Sequence, residues 1–446
     1  MAMPTLRNFV FFAFLSLQFH SPLFAHVLEI HGSNTIGASL APLLVTEYLE
    51  QITQQEVRKE PTGNDNEQVL TTTSQQGGEL SVLVAAHGSS TGFQALANGQ
   101  ADIWASSRPV KKAEAEQLRP ETELTNLQTE HVIAIDGLAI LVHPTNPVNQ
   151  LSISTLRKIF SGQIQNWSEL GGNNTPIQLY ARDKRSGTWD TFKSLVLGKT
   201  EKLHETARRY ESNDQLSDDV SRDPQAIGFS GLASVRNSKL LAISDGTAPA
   251  LKPDQLTVAS EDYPLSRRLY MYTMGSNSTE FAQNLIEFTL SAKGQMHVAR
   301  SGFISQNPIA VKPRLDHSVP ESFRRLTENY LRLTVNFRFS EGRTKLDNKA
   351  RRDLLRVKHY LASNNRSTDD LLLIGFSDAQ SNELRAQLIS ELRALSVRRA
   401  LNDIGLSSVT YTGYGHYMPV GDRGNQRNGR VEVWVKAQGL THMGDS

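Results

Sequence analysis

The chain has 446 residues, 47 basic and 46 acidic, a net charge of +1, 38% hydrophobic residues and no cysteine. That length gives room for two or three domains with ordinary cores, and the composition excludes collagen-like and disordered classes. Without cysteine there is no disulfide, no cysteine-held metal and no lipid anchor on an N-terminal cysteine. Charge is distributed unevenly: 22 basic and 15 acidic residues follow from Lys312 onward, against 24 and 31 between His26 and Val311. Such asymmetry points to separate domains with different partners.

In chain order, Arg7 precedes an apolar stretch from Phe9 to Phe19, followed by Pro22 and the small residue Ala25. This reads as a signal peptide over residues 1–25, too short to span a bilayer. Export argues against nucleic acid as the partner of the basic C-terminal part and favours a polyanionic wall. Beyond it, Val27–His31 reads as a strand, Ala38–Leu49 as a helix, Leu80–Ala86 as a strand leading into a helix through Ala95, and Ile133–Val142 as a strand buried on both faces. Alternating strands and helices predict an α/β architecture with largely parallel sheets. The polar stretch Gln54–Gly78 reads as an exposed insertion or long loop. Prolines 308, 313 and 320 mark a boundary, read as a linker over 312–328. The chain then restarts with a strand at Leu331–Phe339, a helix over Asp347–Leu361 with Asp347 as N-cap, a strand at Leu371–Phe376, a helix at Glu383–Ile404 and a strand at Arg430–Val435.

Four segments of the N-terminal part collect hydroxyls, glycines and arginines: Gly32–Gly37, Gly88–Gly92, Ser106-Ser107-Arg108 and Arg182–Thr188. Three of them lie between an apolar strand and a helical pattern, where backbone N–H groups and the positive end of a helix dipole face an anion. Serine and threonine add neutral donors, and arginine adds a fork that matches an oxyanion. Any one such segment is most often a plain helix cap; four in order form a candidate cradle of Ser33, Thr35, Ser90, Thr91, Ser107, Arg108, Arg182, Ser186, Gly187 and Thr188. Nothing resembles Gly-x-Ser-x-Gly, no histidine and carboxylate are placed near Ser186 by sequence, and no metal-ligand spacing is present. We therefore expect no catalytic residues, no metal and no cofactor.

From His26 to about Val311 the chain resembles the periplasmic phosphate-binding proteins of ABC transporters. The resemblance rests on the first two of those segments, Ala101–Pro109, Ile135–Ile140, Ile159–Gly162 with Asn166–Leu170, Arg182 with Ser186-Gly187-Thr188, and Ala226–Phe229. It implies a two-lobed, hinged α/β receptor that closes on its ligand. Thr35 and a serine of the Ser89–Thr91 cluster would then serve as donors, Arg182, Ser186, Gly187 and Thr188 would grip the anion from the other lobe, and an ABC permease would be a further partner. The family often has an aspartate where this chain has Ser107. A carboxylate there accepts the proton of hydrogen phosphate, whereas a hydroxyl does not repel sulfate.

In the C-terminal part, Asp378 follows a strand and Arg393 lies on the next helix. An acid and a base so placed can hold an ammonium and a carboxylate, or simply form a strand–helix salt bridge. From about Leu331 to Val435 the chain resembles the OmpA-like peptidoglycan-binding domain, through Val335–Phe339, Gly375–Asp378, Ser390–Ala394, Gly413–Gly415, Pro419-Val420 and Asn428–Val433. The resemblance implies that Asp378 and Arg393 hold the diaminopimelate side chain of the stem peptide. Ala386 and Gly429 depart from the family's usual asparagine and first arginine.

The expected organisation is thus a signal peptide (1–25), a two-lobed periplasmic-binding-protein fold (26–311), a linker (312–328) and an α+β OmpA-like domain (329–438). The expected function is capture of phosphate or a related oxyanion by a receptor tethered to peptidoglycan in the periplasm of a Gram-negative bacterium. The alternative is a structural envelope protein whose receptor-like module binds a protein or another ligand.

Overall fold

The structure, a computed structural model, describes residues 27–184, 186–315, 319–339, 346–378 and 382–437; the expected signal peptide lies outside them. Among these residues no helix is long and apolar enough to cross a membrane.

The key element of the N-terminal part is one long strand, Glu130–Val142, buried from His131 to its end. Its first half, Glu130 to Gly137, pairs antiparallel with strand Ser266–Tyr272. Its second half, Leu138 to Val142, pairs antiparallel with strand Ala226–Gly231. Those two pairings belong to different lobes, so the strand crosses from one to the other near Gly137. The chain returns through residues 263–265, where the Leu138 N–H donates to Leu265 O at 2.8 Å.

In the first lobe, Leu28–Gly32 lies parallel between Glu79–Ala85 and Ile103–Ser106. In the second, Gln178–Arg182 lies parallel between Ala226–Gly231 and Arg208–Tyr210. The sheet is therefore mixed: parallel at the centre of each lobe, as expected, and antiparallel along the outer edge of the first lobe and where the crossing strand and Ser266–Tyr272 join in. The expectation of a loop over Gln54–Gly78 is corrected. Arg58–Pro61 and Glu67–Thr73 form an antiparallel pair that extends the edge of the first lobe. Arg58–Pro61 is exposed along its whole length; with neither face buried it has no apolar alternation to reveal a strand.

The C-terminal part shows clean binary patterning. Along Tyr330–Arg338 and Arg430–Lys436, paired antiparallel, the odd positions Leu333, Val335, Phe337, Val431, Val433 and Val435 form a core with helices Asn348–Ser363 and Glu383–Asp403. Asp347 caps the first of these, accepting from the Ala350 N–H at 2.7 Å. The even positions face the other way, as the two-residue period of a strand requires. The stretch 312–328 carries helix Glu321–Thr327, whose buried Phe323 packs on Leu372, Ile374, Phe376 and Trp434.

Candidate functional site

The site is built where strands end at the face between the lobes. Strand Leu28–Gly32 delivers Ser33, whose hydroxyl donates to Ser107 Oγ at 3.1 Å. Ser89 opens helix Ser89–Ala97, and its hydroxyl accepts from the Ser107 N–H at 3.1 Å and lies 3.4 Å from Ser107 Oγ. Ser33, Ser89 and Ser107 are all buried. From the second lobe, Ser186 caps helix Gly187–Phe192, accepting from the N–H groups of Thr188 and Trp189. Thr188 then reaches across to Thr35, hydroxyl to hydroxyl, at 3.2 Å.

The cleft is closed. Gly187 lies so close to the first lobe that an added Cβ would come within 1.9 Å of Ser107 Oγ and 2.9 Å of Ser89 Oγ. The glycine is required there by proximity. Thr191 adds a bond across the cleft, donating to Ser107 O at 3.3 Å.

Arg182 ends its strand with its side chain fully buried. Its Nε donates to Tyr210 O at 3.1 Å, its Nη2 donates to Glu211 O, and Asp183 Oδ2 lies 3.8 Å away. Among the described residues Nη1 has no hydrogen-bond partner. Arg182 borders a cavity of about 930 Å³ between the lobes, together with Asn34, Thr35, Asn213 and Gly231. Burial pulls its guanidinium down to about 10, with Asp183 opposing the shift. A buried, unsatisfied cationic donor at a cavity wall calls for an anion, because leaving it unpaired costs free energy.

The structure brings together Ser33, Thr35, Ser107, Arg182, Ser186, Gly187 and Thr188. It turns the other three expected residues away. Arg108 forks onto Glu114 at 2.6 and 2.8 Å and lies 3.6 Å from Asp190, so its charge is already matched. Ser90 Oγ accepts from Arg108 at 3.3 Å and Thr91 donates to Gly88 O at 2.7 Å, both on the exposed side of their helix. Their buried neighbour Ser89 takes the place in the cradle. Sequence reasoning also missed Arg267 and Asp136. These form a buried pair with contacts of 2.6 and 2.9 Å, and Arg267 Nη1 donates to Thr188 Oγ1 at 3.0 Å. The available signal was a lone aspartate inside the apolar run Ile135–Ile140.

The second site lies in the C-terminal part. Arg393 Nη2 donates to Asp378 Oδ1 at 3.2 Å and Nη1 donates to Phe376 O at 3.0 Å. Both side chains are partly exposed, 20% for Arg393 and 34% for Asp378, so a ligand can still reach the pair. Gly429 lies flat against the guanidinium; a Cβ there would come within 2.7 Å of Arg393 Nη1.

Comparison with known proteins decides the family. The model of the PBP superfamily domain matches residues 66–293, and that of the OmpA family matches residues 338–431. The phosphate-binding protein PstS of Borreliella burgdorferi is 31% identical over 229 residues, covering 50% of this chain and 79% of that protein. The chain belongs to the PBP superfamily and carries an OmpA-family domain. Protein SphX of Synechococcus elongatus is 29% identical over 229 residues, covering 49% of this chain and 67% of its own. Among solved structures, an ABC-type phosphate transport receptor from Vibrio cholerae is 28% identical, with a TM-score of 0.49, covering 62% of this chain and 99% of that one. The receptor fold and the OmpA-family domain expected from the sequence are both present.

Proposed function

We propose that this protein is a non-enzymatic periplasmic receptor that captures phosphate in the cleft between its lobes and is held noncovalently to peptidoglycan by its OmpA-family domain. The observation that carries the first half is Arg182: a buried guanidinium whose Nη1 has no hydrogen-bond partner among the described residues, beside converging hydroxyls, in a chain related to phosphate-binding proteins. The anion would be held by Arg182, Ser33, Thr35, Ser89, Ser107 and Thr188, with Ser186 and Gly187 shaping the helix end that faces it. Lobe closure would exclude water and strengthen each of these bonds. Asp378 and Arg393 would hold the ammonium and carboxylate of the stem peptide's diaminopimelate.

Selectivity follows from the cradle's chemistry. Asp136 is engaged by Arg267 through Oδ2 and by the Leu232 N–H through Oδ1. With that carboxylate occupied and a serine at 107, little in the cradle rejects a fully ionised oxyanion. Sulfate should therefore compete with phosphate.

Calorimetric titration of the mature chain with phosphate and with sulfate tests the reading. Heat with phosphate, displaced by sulfate, supports it; no heat with either anion contradicts it. Sedimentation with insoluble peptidoglycan tests the second half, and retention should be lost in Asp378→Ala or Arg393→Ala.

A further inference from the structure

The OmpA-family domain grips the receptor at the place where the lobes hinge. Asp262, just before the return crossover, is buried. It accepts from Arg332 at 2.6 Å, Asn336 at 2.9 Å and Arg338 at 3.0 Å, all on the even face of strand Tyr330–Arg338. Asn336 and Arg338 also donate to Ser260 O, each at 2.9 Å.

The grip extends to both lobes. On the first, Arg268 pairs with Asp347 at 2.8 Å, Asn348 donates to Glu130 at 3.1 Å, and Arg352 donates to Leu127 O at 2.8 Å. On the second, Asp245 accepts from Asn425 at 2.8 Å and also from Arg427. A rigid domain bonded to both sides of a hinge cannot keep both sets of bonds through an opening rotation.

Two further features connect this grip to the two ligand sites. Arg267 and Arg268 are neighbours on strand Ser266–Tyr272 and point to opposite faces. Arg267 contacts Thr188 in the cleft, and Arg268 contacts Asp347 of the OmpA-family domain. The loop Asn425–Arg430 is likewise shared. Arg427 holds Asp245 and donates to Asp262 O at 3.2 Å, while Gly429, two residues on, backs the guanidinium of Arg393.

We infer that the OmpA-family domain is a latch across the receptor hinge, so that anion capture and stem-peptide binding are coupled. The inference rests on the proposed function for the identity of both ligands. The latch is engaged here with the cleft closed, so each ligand favours the state the other binds. Saturating phosphate tightens the stem peptide, and the stem peptide tightens phosphate by the same factor, as linkage requires.

The test uses the full chain, inorganic phosphate and a soluble diaminopimelate-containing stem peptide. Each ligand is titrated with and without a saturating amount of the other. The expected coupling factor is about fivefold or more, equal in both directions. In the double variant Asp245→Ala, Arg427→Ala the side-chain bonds to the second lobe are gone, so both ligands should bind with the factor reduced to one. A factor of one in the unmodified chain, with both ligands binding, overturns the latch and leaves the proposed function standing. A factor that survives the double variant also overturns it. Failure of either ligand to bind overturns the proposed function itself, and the latch with it.

Discussion

Replacing Arg182 with methionine tests the receptor site most sharply, because binding and stability should respond differently. Methionine keeps roughly the length of the side chain and removes the charge. Among the described residues the arginine donates to Tyr210 O and Glu211 O, and its buried Nη1 has no hydrogen-bond partner. Losing two such bonds costs on the order of 1 kcal/mol each, while removing a buried charge whose counter-charge, Asp183, stands 3.8 Å away recovers an amount of similar order. Stability to urea should therefore stay within about 2 kcal/mol of the parent chain. Binding has no such offset. Charge-assisted bonds to an anion contribute about 1.5–3 kcal/mol each, so losing even one or two predicts a loss of about 3 kcal/mol, roughly 100-fold in Kd. Calorimetry with phosphate and urea unfolding on the same preparation provide both numbers. Phosphate affinity within about threefold of the parent, which is about 0.7 kcal/mol, would refute the reasoning. So would a binding loss accompanied by collapse of the fold.

Four further outcomes follow. Gly187→Ala places a methyl against Ser107 Oγ, so the lobes should fail to close and phosphate should no longer contract the particle in small-angle X-ray scattering. Asp262→Ala removes the carboxylate that Arg332 and Arg338 share, leaving them Glu432 at 3.4 Å and Glu261 at 3.9 Å, and should cost about 1–3 kcal/mol, read by chemical denaturation. Burial and Arg352 hold the His131 imidazole down to about 3; a folded value below the unfolded one means stability is full above about pH 6.5 and declines as pH falls toward 3, by up to about 1.4 kcal/mol per unit. His131→Gln should flatten that part of the stability profile. A second acid-sensitive limb should come from Glu261, which burial alone would raise but Arg268 holds at about 2. Its contribution is present above about pH 4 and lost as pH falls through 2.

The parts of this architecture readable from sequence are those written in local periodicity. Leu333, Val335 and Phe337 alternate with Arg332, Asn336 and Arg338, so the strand and its core face follow directly. What the polar face meets does not: Asp262 lies far back in the chain, and nothing in a charged residue names its partner. The same limit explains the cradle. Ser89, Ser90 and Thr91 are equivalent as residue types, and only the phase of the helix decides that the first is buried and the other two are exposed. Arg108 and Arg182 looked alike as arginines beside hydroxyls. Glu114, six residues from Arg108, neutralises one of them, while carbonyl oxygens and the more distant Asp183 face the other. The hairpin at Arg58–Thr73 went unread because an exposed edge strand carries no apolar stripe.

In the proposed function one molecule holds phosphate and wall together. Radiolabelled phosphate mixed with the full chain and insoluble peptidoglycan, then sedimented, tests it in a single step. Label should appear in the pellet in proportion to bound protein, and be lost with either Arg182→Met or Arg393→Ala. Protein in the pellet without phosphate, or label that stays in the supernatant with the protein, would contradict it.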